Sequence, residues 1–279
     1  MFTFKRKTSQ QPSSIFINGL TCVTTSTMTV QSVWQQRHTI SAIGDILSKA
    51  INDPSNPVDA AFLEYAATHA LTMPQYAPFH KLTFDPHVGV SGNVWHHGEF
   101  YLPAIKGMPE RILEHCDMSE NERESITTQL HAMSATGDMV VAIATGLLRH
   151  PIKDLRDLKN NEKLSFIGFA SVQMTASTDI RRFLSHTSKR IYLATGQHPA
   201  ATLAVVKQLG LTATPGDVFD SRRLDVMNAA DIKTTVASVH IFARATPERK
   251  DHILDAVNAI DPTTVQVTTL ADLQKLLAN

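Results

Sequence analysis

Cysteine is scarce in this sequence of 279 residues, and long hydrophobic stretches are absent. The two cysteines, Cys22 and Cys116, are too few for the disulfide framework of a small secreted protein, so we expect both as small core residues in a reducing compartment. No run of about 18 uninterrupted apolar residues occurs, and this excludes a helix that spans a bilayer. The sequence therefore has the pattern of neither a disulfide-stabilised nor a membrane-spanning protein.

An excess of charge of either sign is also absent. The 26 lysine and arginine residues balance 26 aspartate and glutamate residues, so no net charge attracts nucleic acid or an anionic membrane. An apolar content of 43% with 19% charged residues is typical of a folded soluble protein. Residues 1–14 carry basic side chains without a following apolar segment, so they are predicted as a flexible polar tail and not as a signal peptide. We expect a cytoplasmic protein.

What the sequence does contain is a strand–loop–helix pattern in residues 191–210. Ile191–Ala194 is an apolar, β-favouring segment, and Thr195-Gly196 interrupts it. Pro199 suits the first turn of a helix, because the N–H that proline lacks would be unpaired there. Gly210 supplies the left-handed residue at which a helix ends. A buried strand followed by a crossover helix is the unit of a doubly wound α/β sheet, in which functional loops follow the carboxyl ends of the strands.

Three stretches resemble motifs of the cation-transporting P-type ATPases. Thr195-Gly-Gln-His-Pro199 matches the family's Thr-Gly-Asp-His-Pro except at Gln197. Lys106-Gly-Met-Pro-Glu110 matches Lys-Gly-Ala-Pro-Glu, and Phe242-Ala-Arg-Ala-Thr-Pro-Glu-Arg-Lys250 matches Phe-Ala-Arg-x-x-Pro-x-x-Lys. The resemblance extends over nearly the whole chain and keeps the order and spacing of these motifs. The sequence is therefore similar to the cytoplasmic part of a P-type ATPase.

The resemblance implies an α/β fold made of two domains. One is a Rossmann-like parallel sheet of the haloacid dehalogenase type, as in the family's phosphorylation domain. The other is an inserted α+β domain built on an antiparallel sheet, as in the family's nucleotide-binding domain. We expect the tail at 1–14, the first strand of the phosphorylation-like domain in 15–27, the nucleotide-binding-like domain at 28–150 and the rest of the phosphorylation-like domain at 151–279.

The resemblance also implies four candidate nucleotide-binding residues. Phe84 corresponds to the aromatic residue that stacks on adenine, and Asp59 stands where the family has a glutamate near the adenine. Lys106 and Gly107 begin the Lys-Gly motif, and a strand lysine beside a glycine that allows close approach suits a nucleotide pocket. On their own, Phe84 would be expected in the core and Asp59 as an acidic residue of a helix's first turn.

In the phosphorylation-like domain, the resemblance implies three remnants of a phosphate site, namely Thr195, Gly196 and Lys250. Lys250 stands where the haloacid dehalogenase superfamily places the lysine that neutralises the phosphorylated aspartate. Considered without the resemblance, a lysine in the first turn of a helix is usually solvated.

The family's phosphorylated aspartate has no counterpart in the sequence. We expect the first buried strand at Leu20–Val23, and no Asp or Glu occurs anywhere before Asp45. The hydroxyl groups of Thr24, Thr25 and Ser26 follow the expected strand, but no neighbouring base is visible that would activate one of them. The sequence therefore predicts no nucleophile at this point.

Other acidic residues of the family are absent as well. Gln197 replaces one of them, and residues 173–175 replace the start of the family's Asp-Pro-x-Arg. The Gly-Asp-Gly-x-Asn-Asp loop, whose acids hold Mg²⁺, is not found after Ile260. Asp272 is better explained as an acidic residue in the first turn of a helix than as a remnant ligand, because Mg²⁺ requires several oxygen ligands in a near-octahedral arrangement. We expect no metal site.

These departures lead to the expectation of a pseudoenzyme, that is, a protein that is not an enzyme. It would act as a binding or scaffolding component of a larger protein assembly and could dock on a membrane-associated one, with no cofactor, or with weak ATP binding. Two alternatives remain. One is a nucleotide sensor whose domains close on the ligand. The other is a weak Mg²⁺-dependent phosphatase or nucleotidase that uses Asp272 or another acidic residue brought near by the fold.

Overall fold

The computed structural model describes residues 13–36, 42–158 and 162–277. The chain divides into two compact units. The first, which we call the parallel unit, comprises Met1–Thr24 and Ala176–Asn279. The second, the antiparallel unit, comprises Thr25–Thr175. Each unit has its own sheet and its own hydrophobic core, and each is described by itself.

The sequence of elements alternates strands and helices in the parallel unit and groups most strands together in the antiparallel unit. The strands are β1 Ser14–Asn18, β2 Thr24–Gln35, β3 His80–Asp85, β4 Val90–His97, β5 Phe100–Gly107, β6 Met139–Thr145, β7 Ser165–Ala176, β8 Arg190–Ala194, β9 Val218–Asp220, β10 Ile241–Ala243 and β11 Val265–Val267. The α-helices are α1 Ile43–Ala50, α2 Pro57–Thr68, α3 Pro109–Glu114, α4 Glu120–Ser134, α5 Thr178–His186, α6 Pro199–Gln208, α7 Ala229–Ser238, α8 Pro247–Ile260 and α9 Leu270–Leu277. Short 3₁₀ helices lie at Leu20–Cys22, Leu155–Asp157, Pro215–Asp217 and Ser221–Val226.

The parallel unit is built on a five-stranded sheet in the order β11-β1-β8-β10-β9. All of its strand pairs are parallel, and β1 pairs with β8 so that Asn18 lies opposite Ala194. Its strands are apolar because parallel sheets are covered on both faces. Phe16, Tyr192 and Phe242 are fully buried within one core cluster of this unit. The predicted Rossmann-like parallel sheet is therefore confirmed.

The antiparallel unit is built on a six-stranded sheet in the order β2-β7-β6-β5-β4-β3. The pairs from β3 to β7 are antiparallel. Val94, Ile105, Ala142 and Phe169 are fully buried in one core cluster with Ile126 of α4. Helices packed on an antiparallel sheet are the arrangement of an α+β domain, so this part of the predicted fold class is confirmed as well.

The first strand begins and ends earlier than the sequence predicts. β1 covers Ser14–Asn18, whereas the expected strand at Leu20–Val23 is mostly a 3₁₀ helix. Gly19 separates the two with a φ of 111°, which takes the chain out of the sheet in a conformation that favours glycine. Ser14, expected in the tail, is thus part of β1, and residues 1–12 of that tail lie outside the described residues.

The unit boundaries also differ from the expected ones. The sequence places them after residues 27 and 150, but the structure places them after Thr24 and Thr175. The reason is the pairing of two long strands: β2 and β7 both belong to the six-stranded sheet. The segment from residue 151 to Thr175, expected in the phosphorylation-like domain, therefore lies within the antiparallel unit.

The predicted helix start at Pro199 is confirmed, since α6 begins there. α2 likewise begins at a proline, Pro57, and Ser119 forms the capping box of α4 with Glu122. Both cysteines are buried and free of disulfides. Among the described helices, none is both long and apolar enough to cross a membrane.

Candidate functional site

The carboxyl edge of the parallel sheet brings two predicted loops together. β1 and β8 run side by side in the same direction, with Asn18 opposite Ala194. The segments that follow them, Gly19 and Thr195-Gly196, therefore lie next to each other at one edge of the sheet. In doubly wound folds this edge carries the ligand-binding loops.

Hydrogen bonds fix the loop that starts at Thr195. The Thr195 side chain is 3% exposed, and its Oγ1 accepts from the backbone N–H of Gln197 at 3.3 Å. The backbone N–H of Ala245 donates to the Thr195 carbonyl at 2.8 Å, and that of Arg244 donates to the Gln197 carbonyl at 3.0 Å. These bonds join the loop after β8 to the loop after β10. Gly196, half-buried, lies between them.

Lys250 reaches the same edge from the first turn of α8. Its ammonium lies 3.9 Å from the point where a side chain at Gly19 would begin. Burial disfavours the charged form and lowers the pKa of Lys250, and the Asp251 charge offsets this only in part. No ion pair to Lys250 occurs within the described ranges. A desolvated cation without a counter-ion is favourable for an anionic ligand.

Cys22 lies near Lys250, and Asp272 lies near Cys22. The Cys22 thiol donates to the carbonyl of Asn18 at 3.5 Å, and burial raises its pKa to about 11, so it stays protonated at neutral pH. Asp272 lies in the first turn of α9, where it accepts from the backbone N–H groups of Thr268 and Thr269. Its role as a helix-terminal acid is confirmed.

Sequence reasoning missed Asn18 as a site residue. The strand ends at Asn18, a half-buried residue that precedes Gly19 at the carboxyl edge of the parallel sheet. The signal was present in the sequence: the apolar segment Ser14–Ile17 is followed at once by Asn-Gly, a pair typical of a turn. The later segment Leu20–Val23 is equally apolar, and this drew the strand prediction away from the correct place.

In the antiparallel unit, Lys106 and Asp59 form a buried ion pair. The Lys106 ammonium on β5 lies 2.8 Å from Asp59 Oδ1, and the two side chains are 3% and 2% exposed. Lys106 also donates to the carbonyl of Ala50 at 2.7 Å and to Asn52 Oδ1 at 3.4 Å. The other Asp59 oxygen accepts from the backbone N–H groups of Asn52 and Asp53. The pair therefore holds the segment between α1 and α2 against the sheet.

The other two candidate nucleotide residues have different surroundings. A Cβ at Gly107 would lie 2.4 Å from the carbonyl oxygen of Gly89 and 2.7 Å from Cα of Val90, so glycine is needed there for the close approach of β4 and β5. Phe84 on β3 is 43% exposed, although aromatic residues mostly bury. Of the four candidates, Phe84 alone presents a large apolar surface to solvent.

The described residues contain no group of three or more His, Cys, Asp or Glu side chains placed to hold a metal ion.

Comparisons with known proteins give relatives but no matching family model. A probable cation-transporting P-type ATPase of Mycoplasma genitalium is 24% identical over 217 residues, which cover 75% of this chain and 24% of that protein. Calcium-transporting ATPase 1 of Bacillus cereus is 23% identical over 221 residues, which cover 73% and 25%. A probable cation-transporting ATPase I of Mycobacterium leprae is 26% identical over 191 residues, which cover 64% and 12%. The chain thus spans about a quarter or less of the length of these curated relatives.

These relatives correct one expectation and confirm another. All three are named as ATPases, which are enzymes, so the expectation that this chain is not an enzyme is contradicted. The resemblance inferred from the three motifs is confirmed, and the two observed sheets are compatible with it. The chain is a homologue of the P-type cation-transporting ATPases over 64% to 75% of its length.

Proposed function

We propose that this chain is an ATPase-like module that binds the phosphate groups of ATP at the carboxyl edge of its parallel sheet. The observation that carries the proposal is the Lys250 ammonium: the residue is half-buried, lies beside Gly19 and has no ion-pair partner within the described ranges. A phosphate oxygen at this point would supply the missing counter-charge, and the loop from Thr195 to Gln197 forms the neighbouring wall. The names of the relatives support ATP as the ligand.

Within this proposal, Mg²⁺ arrives with the nucleotide. The described residues provide no preformed cluster of ligands for the ion, so its oxygen ligands come mainly from the phosphates. The ion then reduces the charge that Lys250 has to balance. We therefore expect ATP with Mg²⁺ to depend less on Lys250 than ATP alone.

For the antiparallel unit by itself, we propose that Phe84 stacks on an adenine ring, because its ring is exposed. Lys106, Asp59 and Gly107 make no direct contact with the base in this proposal. Their charges and backbone are already engaged in the ion pair and in the packing of β4 against β5.

The expected binding role in a larger, cytoplasmic protein assembly remains a second proposal. It rests on the sequence alone, and its test is whether the endogenous chain elutes in size-exclusion chromatography above the mass of its 279 residues. A single monomeric peak would contradict it. The sensor and phosphatase alternatives are separated from it by the experiment that follows.

Calorimetric titration with ATP, with and without Mg²⁺, tests the main proposal. Lys250→Met should weaken ATP binding without Mg²⁺ by about tenfold or more, because a charge-assisted hydrogen bond is lost. Lys207→Met, an exposed lysine of α6 in the same unit, is the matched control and should leave the affinity unchanged.

Released phosphate is measured in the same samples. If phosphate is released in the presence of Mg²⁺, the rate of release must be lower in Lys250→Met than in the unsubstituted protein. A release that is instead lost in Asp272→Ala would favour the phosphatase alternative. Equal ATP affinity of Lys250→Met and the unsubstituted protein would overturn the phosphate site. Phe84→Ala tests the proposal for the antiparallel unit: it should weaken the binding of adenosine, which has a base to stack, but not of inorganic triphosphate, which has none.

A further inference from the structure

A cavity of about 780 Å³ lies at the opposite, amino-terminal edge of the parallel sheet. Its walls come from the segments that enter the strands: Ser13 before β1, residues 187–191 at the start of β8, and His240 before β10. Because β8 runs from Arg190 to Ala194, the cavity is separated from the loop at Thr195 by the whole length of the strand. Its size falls within the range of small-molecule sites.

Two basic side chains give the wall an excess of positive charge. Lys189 and Arg190 both line the cavity, and neither forms an ion pair with any residue in the described ranges. The one carboxylate in the wall, Asp261, accepts hydrogen bonds from the hydroxyls of Ser14 and Thr263, both at 2.6 Å. These bonds, with one from Ser13, satisfy its charge locally, so Lys189 and Arg190 remain available for a ligand.

Two buried polar atoms near the cavity lack partners. The Tyr192 side chain is fully buried, and its hydroxyl has no hydrogen-bond partner among the described residues. The same holds for His240 Nε2, whose ring lies 5.0 Å from that of Tyr192 at 83°. Burial, together with the Arg190 charge, lowers the pKa of His240 and keeps its ring neutral near pH 7. Buried polar groups are normally satisfied, so each such atom calls for a partner, which can be a water molecule or a ligand.

The rest of the wall is mixed. Leu184, Ile191, Leu211 and Ile241 form its apolar part, and Ser13, Thr187, Ser188 and Thr212 supply hydroxyl groups. A ligand site usually combines apolar surface with a few polar groups. A ligand that fits this wall has an apolar body and one negatively charged group.

We infer that this cavity binds a small organic anion, whose carboxylate or phosphate is held by Lys189 and Arg190 and whose apolar body lies against Leu184, Leu211 and Ile241. The site is separate from the phosphate site at the other edge of the sheet and does not depend on it. His240 lies beside the charged group and can exchange a hydrogen bond with it.

Calorimetric titration with benzoate and with phenyl phosphate tests the inference, since both have an apolar ring but differ in the charged group. We expect saturable binding of at least one probe. Arg190→Gln should weaken it about tenfold, because one charge-assisted hydrogen bond is lost. Arg190 is exposed and its backbone, not its side chain, makes the bond to Ser13, so the variant should fold normally.

Two control variants test whether binding depends on this cavity or on lysines elsewhere in the parallel unit. Lys207→Gln removes an exposed lysine outside the cavity, and Lys250→Met removes the cation of the other edge. Neither should change the affinity for benzoate, which has no phosphate for the site at Lys250. Absence of saturable binding of both probes, or a loss of benzoate binding in Lys250→Met that Arg190→Gln does not show, would overturn the inference. A preference for one probe identifies the charged group, and a shift of the His240 ring signals in NMR during the titration places it.

Discussion

The two lysines that the motifs single out, Lys106 and Lys250, are in opposite electrostatic situations. Lys106 in the antiparallel unit is 3% exposed and donates to Ala50, Asn52 and Asp59, so its charge and all its donors are used within the unit. Lys250 in the parallel unit is also desolvated but lacks an ion pair among the residues described. The same residue type in an equally good motif match is therefore an internal ion-pair partner in one unit and an available cation in the other.

The difference teaches what a motif can specify. A motif fixes the backbone position of a lysine, whereas its neighbours decide what the ammonium does. Lys106 is neutralised because Asp59, remote in sequence, opens α2 with its carboxylate directed at β5. Lys250 is not neutralised because β1 ends in a neutral carboxamide, Asn18. The contrast therefore has one cause: the carboxylate of Asp59 lies beside Lys106, whereas β1 ends in Asn18, which has no carboxylate.

Removal of the Lys106 charge should have the largest effect on stability. We expect Lys106→Met to lower the free energy of unfolding by about 3–5 kcal/mol, because it leaves the Asp59 carboxylate buried without a counter-ion. Urea denaturation followed by circular dichroism measures this change. Lys81→Met, an exposed lysine on β3 of the same unit, is the matched control and should change stability by less than about 0.5 kcal/mol.

A double variant sharpens this result. Lys106→Met combined with Asp59→Asn removes both charges while an oxygen remains for the backbone N–H groups of Asn52 and Asp53. It should recover most of the lost stability, because no unpaired buried charge is left. If the double variant were as unstable as Lys106→Met, the loss would come from packing and not from charge.

The next largest effect is expected in the pH dependence of ATP binding, which should depend on Lys250 and not on Lys106. Only protonated Lys250 attracts phosphate, and its pKa is lowered by burial, so affinity should fall as the pH rises through a value below the ordinary lysine range of about 10.4. Lys250→Arg should remove the fall, because arginine stays charged. Calorimetry at several pH values measures this, with Lys207→Arg as the control. A profile unchanged by Lys250→Arg would mean that another group titrates.

Much of the fold was predictable, because helix starts and buried strands have local signals. Pro57 and Pro199 begin helices where a missing N–H has no cost, and Ser119 with Glu122 caps α4. The first strand was misplaced because Ser14–Ile17 and Leu20–Val23 are both short and apolar. Only pairing with β8 and β11 selects the former, and such pairing is a long-range property.

The candidate site was less predictable than the fold for the same reason. Thr195 and Lys250 were found from their motifs, but the position of Asn18 beside them depends on strand register. The Lys106–Asp59 ion pair joins residues 47 positions apart in the chain, and no local pattern indicates it. Contacts of this kind arise from tertiary packing, which spacing along one sequence does not encode.

A carboxylate at position 18 should make the two lysines more alike. We expect Asn18→Asp to raise the free energy of unfolding by about 0.2–1 kcal/mol, the range of a partly exposed ion pair, if the new carboxylate reaches Lys250. It should also weaken ATP binding without Mg²⁺, since like charges then oppose each other at the edge of the sheet. The gain in stability should vanish in Asn18→Asp/Lys250→Met, and a gain that persists there would rule out the ion pair.

The smallest effect is expected for Lys250→Met on stability. Unlike Lys106, Lys250 leaves no buried carboxylate behind when it is removed, and the substitution relieves the cost of its own desolvation. The free energy of unfolding should therefore stay within about 0.5 kcal/mol of the unsubstituted protein, measured by the same urea denaturation. A loss comparable to that of Lys106→Met would show that Lys250 has a counter-ion after all, and the contrast between the two units would then disappear.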